Sequence, residues 1–485
     1  MQNKKKNIVI YGAGITGKKI FKHLKKLKKY KILAFIDDSL RLEGTELFKI
    51  PIKNFDNSIN FLKKNKIEEI YLAIPSLKDD EKKIIIQKIY KINRSIIIKS
   101  TGKINEILIE NQNFNLFKNI SYDNFFNNKN FFNIHPLRNR NIYKKTVLIT
   151  GAGGSIGSEL SKQVLNLQPN KLILLDSSES SLFQIQQELF KNTIKKSKII
   201  ARLISICEKN QLDDVFKTHN IDTIYHAAAY KHVGLVENNI CSSIKNNVLG
   251  TFNLCDLTTK YKVKKFVLIS SDKAVEPTNV MGLTKKISEL ICQEFSERKK
   301  SKFVAVRFGN VIGSSGSVIP IFQKQILSGG PITLTHKKVE RYFMSISEAV
   351  SLVIEAGEMD NKGKIYVLDM GRQIKILNLA KKMCNFFGYK LVEQKKTNFK
   401  NEILLKIIGL GNGEKIKEKL LERNESFEKS SHPLIFKVTN KFNRKVKIIN
   451  VCNKILEECE KNNISYLQKI LKKRPFYYKN KIKSI

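Results

Sequence analysis

Apolar residues along this chain gather in short blocks, each followed by a polar turn and then by a stretch in which apolar positions return every three or four residues. The first pattern is that of a buried strand and the second that of an amphipathic helix. Blocks at 7–11, 32–36, 69–74, 146–150, 171–175, 199–206, 223–229, 266–270 and 303–308 predict strands. Helices are predicted from the glycines at 12–17 to about residue 27, from near Ser155, from Gln211, over 241–260, and after residue 278, where Val280, Leu283, Ile287 and Ile291 share a face. Strands alternating with helices imply parallel, doubly wound sheets with right-handed crossovers.

The alternation runs through residues 1–118, breaks over 119–143, and restarts at 144. The break is rich in Asn and Phe with neither period, and reads as a linker. The expected architecture is therefore α/β: two Rossmann-like doubly wound parallel-sheet domains, 1–118 and 144–430. Beyond about residue 320 strands at 332–335 and 364–368 mix with helices at 347–357 and 377–387, predicting a smaller mixed α/β lobe over the carboxyl edge of the second sheet. Residues 431–485 read as a basic extension of that lobe, its lysine-rich end a solvated helix and coil.

Two of the strand-to-helix turns are glycine-rich. Gly12, Gly14 and Gly17 follow the first strand, with Asp37 and Asp38 closing the next; Gly151, Gly154 and Gly157 follow the strand at 146–150, and Asp176 comes twenty-five residues after Gly151. Glycines there let a helix amino terminus, here Ser155 and Ile156, approach a diphosphate, and the later acid accepts from a ribose 2′-hydroxyl. An acid repels a 2′-phosphate, so the second turn favours NAD over NADP. The small residues Ala227 and Ala228 permit close approach to a flat cofactor, and Asn247 lies on the following helical segment.

Composition narrows the class. The chain has 485 residues, 42% of them apolar, enough for several domains with cores. No apolar run approaches a membrane span and the amino terminus leads directly into a strand, so a cytoplasmic protein is expected. Seven scattered cysteines without a C-x-x-C pair predict reduced thiols and no metal site. Lys and Arg number 88 against 44 acids, a formal charge of +44, but the lysines are spread evenly, without an arginine-rich helix or aromatic platform. That distribution argues against a nucleic-acid partner; a basic surface would still attract anionic substrates and, weakly, an anionic membrane surface.

Chemistry concentrates in residues 267–285, VLISSDKAVEPTNVMGLTK. Ser271, Asp272 and Lys273 end a strand of the second sheet, where ligands of such folds bind, and Met281 and Lys285 lie four apart on one helix face. Lys231 and His232 end another strand facing the same cleft.

The stretches TGAGGSIGSEL, HAAAYKHV, NNVLGT, SSDKAVEPTNVMGLTK, VRFGNVIGSSGSVIP and RYFMSISEAV, in this order, resemble the extended short-chain dehydrogenase/reductases that modify nucleotide sugars. More narrowly they resemble the UDP-N-acetylglucosamine 4,6-dehydratases of polysaccharide biosynthesis and protein glycosylation, over about residues 145–420. The resemblance implies bound NAD, a UDP-sugar substrate, a homo-oligomer, Lys273 as base for sugar C5, Asp272 as acid for the leaving C6 hydroxyl, Ser271 at the C4 hydroxyl and Lys285 on the nicotinamide ribose. Neighbouring positive charge is expected to lower the Lys273 pKa toward the neutral amine, and a closed, dry cleft to favour a protonated Asp272 at the right moment. Asn310, Ser317 and Arg341 are candidates for the UDP half.

Four departures stand out. The transmembrane segment that usually precedes the larger relatives is not present in these residues, which reads as a soluble or shortened member. Met281 stands where ordinary family members carry the tyrosine of Tyr-x-x-x-Lys, as it does in the larger dehydratases. The family's G-L-R-P-G-E-K reads Gly409-Leu410-Gly411-Asn412-Gly413-Glu414-Lys415, and Ser205–Ile206 stands where an acid commonly meets the adenine. A nucleotide-sugar 4-epimerase or reductase, and a non-catalytic NAD-binding regulator, are the competing readings.

Overall fold

The computed structural model describes residues 6–26, 30–74, 79–93, 96–100, 140–191, 197–298, 301–314, 316–359, 363–387, 389–394, 402–440, 447–473, 476 and 478. The expected linker lies outside the described residues up to position 139. Contacts divide the chain into two compact units, one of Met1–Phe125 with Gly329–Pro331 and Ala380–Leu405, the other of Phe126–Ser328, Ile332–Leu379 and Lys406–Ile485.

The first unit holds strands β1 (Lys6–Tyr11), β2 (Tyr30–Ile36), β3 (Glu46–Leu47), β4 (Ile50–Lys53), β5 (Glu69–Leu72) and β6 (Ile97–Ser100), in the order β3-β4-β2-β1-β5-β6. Helices α1 (Ile15–Lys26), α2 (Phe55–Lys64) and α3 (Asp79–Ile92) connect them. Ile8, Ile10, Ile20, Phe21, Leu24 and Phe35 form its core.

In the second unit, β7 (Thr146–Thr150), α4 (Ser155–Asn166), β8 (Lys171–Asp176), α5 (Glu179–Lys191), β9 (Lys198–Leu203) and α6 (Lys209–Thr218) build one half of the sheet outward. The chain then returns to β10 (Thr223–His226) beside β7, passes through the short helices α7 (Val233–Asn238) and α8 (Ile240–Ile244), a π-helical turn at Lys245–Leu249 and α9 (Gly250–Lys260), and adds β11 (Lys265–Ile269), α10 (Val280–Arg298) and β12 (Lys302–Arg307). The nine strands run β9-β8-β7-β10-β11-β12, then Lys364–Leu368, Ile435–Asn440 and Glu425–Lys429, all in one direction except Ile435–Asn440, which pairs antiparallel on both sides. The strand order reverses between β7 and β10, which opens a crevice at their carboxyl ends. Every residue of β7, β10 and β11 is buried, because helices cover both faces of the sheet.

The carboxy-terminal stretch differs from the expected solvated tail. Ile435–Asn440 extends the main sheet, and the helix Ile448–Glu460 buries Ile448, Cys452, Ile455 and Cys459 in the core that also holds Leu283, Ile287 and Ile291 of α10. Leu467, Leu471, Phe476 and Tyr478 are buried there as well. Lysines occupy the outer positions of these helices, so a basic composition conceals an apolar stripe. Among the described residues no helix is long and apolar enough to cross a membrane, and no metal-ligating cluster occurs.

Candidate active site

A cleft of about 800 Å³ opens at the crevice, and a smaller cavity of about 230 Å³ shares its glycine turn. The turn is shaped by close contacts. Gly151 has φ +64°, and a Cβ there would lie 2.7 Å from the Ala228 Cα; a Cβ on Gly157 would lie 1.9 Å from the Gly151 carbonyl oxygen. α4 begins after Gly154 with no side-chain cap, and its amino terminus lines the cleft, where the helix dipole favours an anion. Gly157→Ala should therefore displace the turn and weaken dinucleotide affinity by tenfold or more, read by isothermal titration; unchanged affinity would detach the turn from cofactor binding.

Asp176 closes β8 at the wall of the smaller cavity, its carboxylate accepting from the Gly153 N–H at 2.9 Å and the Ser178 N–H at 2.9 Å. Ala227 and Ala228 line that cavity, as do the apolar Ile204 and Ile206; of the Ser205–Ile206 pair only Ile206 reaches it. The glycine helix start, the acid and the flat alanine floor fit a dinucleotide. Asn247, by contrast, lines neither space. It is buried on the π-helical turn, accepts from the Tyr230 N–H at 2.8 Å and donates to the Tyr230 carbonyl at 3.0 Å and the Thr284 hydroxyl at 2.9 Å. It braces the loop after β10 against α10, while its neighbour Asn246 reaches the cavity.

Beneath this brace His226 is fully buried between the Thr150 hydroxyl at 2.8 Å and the Thr251 hydroxyl at 3.0 Å. Burial, then the charge of Lys285, push its pKa down to about 3, so it is a neutral core imidazole.

On the facing wall, Ser271, Lys273, Met281 and Lys285 line the cleft. Lys285 lies one turn after Met281, and its Nζ donates to the Ile269 carbonyl at 2.9 Å; burial lowers its pKa to about 8, against the opposing pull of Glu289. Met281 supplies a thioether where a phenol would supply a proton. Lys273 Nζ donates to Asp272 Oδ1 at 2.9 Å and Asn310 Oδ1 at 3.2 Å. Asp272 differs from its expected position. The 3-10 turn Asp272–Ala274 rotates it inward, its N–H bonded to the Phe308 carbonyl, so it is fully buried behind the lining. Its Oδ1 accepts from the Ser271 hydroxyl at 2.9 Å as well as from Lys273, and its Oδ2 has no hydrogen-bond partner.

The Lys273 pKa also departs from expectation. Burial alone would lower it, but the carboxylates of Asp272 and Glu418 outweigh burial and hold it above the ordinary lysine value. The positive charge of Arg341 does act to lower it, but more weakly than the two carboxylates raise it.

Lys231, His232, Asn310 and Ser317 also line the cleft. Burial lowers the Lys231 pKa. His232 packs against Gly316, where a Cβ would lie 2.4 Å from its Cε1. Ser317, at the start of α11 (Val318–Leu327), has a buried hydroxyl without a hydrogen bond. Arg341 does not line the cleft: its guanidinium donates to the Glu340 and Ile416 carbonyls and to Glu414 at 3.2 Å. In the altered glycine motif, the Gly413 carbonyl accepts from the Thr278 hydroxyl at 2.7 Å and Lys415 donates to the Val275 carbonyl at 2.7 Å, tying that loop to the one carrying Lys273.

Comparison with known proteins places this arrangement. The model of a polysaccharide biosynthesis protein family matches residues 147–440, and that of the PglD N-terminal domain matches residues 7–91. The capsular polysaccharide biosynthesis protein CapD of Staphylococcus aureus is 37% identical over 89% of this chain and 71% of its own length. A UDP-N-acetylglucosamine 4,6-dehydratase (inverting) of Campylobacter jejuni is 30% identical over 58% of this chain and 79% of its own, and a UDP-glucose 4-epimerase of Rickettsia bellii is 34% identical over the same shares. The X-ray structure of Pen from Bacillus thuringiensis superposes with a TM-score of 0.56 at 30% identity, covering 65% of this chain and 98% of that one. With the family model spanning the whole nine-stranded sheet and its cleft, and a relative matched along most of both chains, this chain belongs to the polysaccharide biosynthesis protein family.

Proposed function

We propose that this chain is an NAD-dependent nucleotide-sugar 4,6-dehydratase that converts UDP-N-acetylglucosamine to a UDP-4-keto-6-deoxy-N-acetylhexosamine for surface polysaccharide or glycoprotein glycan synthesis. The observation that carries the reading is the Asp272–Lys273 pair at the carboxyl end of β11, its amine on the cleft wall and its carboxylate locked behind it, beside a methionine instead of a phenol. The bound dinucleotide would supply a hydride acceptor for sugar C4 that returns the hydride to C6. The α4 amino terminus, Asp176 and Lys285 would hold it. Ser271 would receive the C4 hydroxyl proton and pass one along its 2.9 Å hydrogen bond to Asp272, which returns it through the same Ser271 hydroxyl to the departing C6 hydroxyl. Lys273 would take the C5 proton, made acidic by the C4 ketone, and return it to C5. Protons then balance: the one from C4 leaves in water, and the one at C5 is restored. The resting ion pair holds one proton more than this sequence begins with, so the loaded site must release it from Lys273.

An epimerase needs a group for the C4 proton but no acid at C6, so a lysine on the cleft wall backed by an aspartate that shares the Ser271 hydroxyl favours dehydration over 4-epimerisation. Incubating the full chain with UDP-N-acetylglucosamine should yield a product lighter by one water, with no build-up of reduced nicotinamide. An isomer of unchanged mass would replace this reading with epimerisation, and tight NAD binding without turnover would replace it with a regulator.

A further inference from the structure

Glu418 lies in a run, Glu414-Lys415-Ile416-Lys417-Glu418-Lys419, that reads as a solvated charged strip, yet it is 5% exposed. Its backbone carbonyl accepts from Gln373 at 2.6 Å. Its carboxylate has Oε1 at 3.8 Å from Lys273 Nζ and Oε2 at 3.6 Å from Lys415 Nζ, and Oε2 makes no hydrogen bond. Burying a carboxylate oxygen without a hydrogen bond is costly unless nearby positive charge offsets it. Lys273 has three donors and uses two, on Asp272 and Asn310; Glu418 is the other carboxylate within ion-pair range.

We propose that Glu418 is a positioning residue of this site, the second counter-ion of Lys273, which keeps that ammonium at the cleft wall whenever Asp272 carries a proton. The inference rests on the dehydratase reading above, in which Asp272 takes the C4 proton for part of each turnover. The groups that face Lys273 make the need plain: Asp272 on its own turn and Glu418 attract it, Asn310 accepts from it, Arg341 opposes it, and Lys415 stands beyond Glu418. With Asp272 neutral and no Glu418, Lys273 would face Arg341 and Lys415 without an anion, and like charges would drive its side chain away from the sugar. Lys415 anchors Glu418 from the other side while bonding the Val275 carbonyl, so the loop of the altered glycine motif and the loop of Asp272 meet at this carboxylate.

The test is Glu418→Gln, which preserves shape and removes charge. Competitive labelling of Lys273 by an amine reagent across pH, quantified by peptide mass, should show its titration midpoint fall by about one unit, a tenfold rise in free amine at a given pH. In turnover, the high-pH plateau of kcat should drop about tenfold, because the protonated lysine is no longer held at the sugar, with KM within about twofold, and the alkaline rise toward that plateau should move to lower pH. If Glu418→Gln does not fold, Glu418→Asp, which keeps the charge but withdraws it, should move the midpoint the same way by a smaller amount. A purely packing role would leave both the labelling midpoint and the pH profile unmoved, and that result would overturn the proposal. Labelling needs no turnover, so a shifted midpoint in a protein that does not dehydrate UDP-N-acetylglucosamine would refute the substrate reading while sustaining the counter-ion.

Discussion

Replacing Lys273 with methionine is expected to slow water loss from the sugar nucleotide by about 10³-fold, the range of a lost general base, while dinucleotide affinity stays within about twofold. Lys273, just past the end of β11, is the amine that Asn310 holds at the cleft wall; Lys285 is tied to the Ile269 carbonyl one helix turn beyond Met281. Lys273→Arg separates two roles that methionine removes together. Arginine keeps the positive charge beside Asp272 but does not give up its proton, so a base function predicts loss with both variants, and a charge function predicts survival with arginine. Exchange of the C5 hydrogen with heavy water, followed by proton NMR, reads the step directly; exchange at the normal rate in Lys273→Arg would remove Lys273 as the base. The pH dependence has a fixed sign. Asp272 and Glu418 raise the folded pKa of Lys273 above its unfolded value, so the ion pair's contribution to stability is complete below the ordinary lysine pKa and is lost as pH rises through the raised one. The free amine grows over the same interval, so the rate should climb about tenfold per pH unit on its acid side.

The sheet and the glycine turn were legible because both are written in local pattern. Apolar blocks separated by amphipathic stretches permit little besides a parallel sheet covered on both faces, and the ends of β7 and β8 fall close to where the blocks end. The misplaced boundaries have physical causes. The block at 223–229 leaves the ladder at His226 because Ala227 and Ala228 turn toward Gly151, and that at 199–206 leaves it at Leu203 because Ile204 and Ile206 turn to wall the smaller cavity. The helix at 241–260 is interrupted by a π-helical turn, one residue of extra winding that does not erase a helical pattern but aims Asn247 at Tyr230 and Thr284 instead of the cofactor. Side-chain direction at the site was less legible. Consecutive Ser271, Asp272 and Lys273 look equivalent as letters, yet the 3-10 turn sends Asp272 inward and its neighbours to the cleft. Glu418 gave no signal, since its partner Lys273 lies far away in sequence. The carboxy-terminal helix did give one: Ile448, Cys452, Ile455 and Cys459 recur at helical spacing beneath the lysines.

Arg307→Met should destabilise the second unit by about 3–5 kcal/mol, the cost of stranding buried charge, and lower its melting temperature by roughly 10 °C. Arg307 ends β12 fully enclosed, giving bidentate hydrogen bonds to Glu289 at 2.8 Å and 2.8 Å and to Glu425 at 2.7 Å and 3.1 Å. Glu289 lies one turn after Lys285 on α10, accepts from the Ser270 hydroxyl, and raises the pKa of Lys285 against burial. Glu425 begins the outermost strand, so one guanidinium joins the cofactor-facing helix to the added edge of the sheet. Burial raises the Glu425 pKa but Arg307 more than reverses it, leaving it lowered; this stability is present above the unfolded carboxylate value and fades as pH falls through the folded one. The deficit of Arg307→Met should accordingly shrink toward acid, where the Glu425 carboxyl becomes neutral. Adding Glu289→Gln and Glu425→Gln to Arg307→Met removes the stranded charges and should recover more than half of the loss in thermal melts at neutral pH. Equal melting of the single and triple variants would mean that Arg307 acts by filling volume, and the electrostatic account of how the added strands are fastened to the site would fall with it.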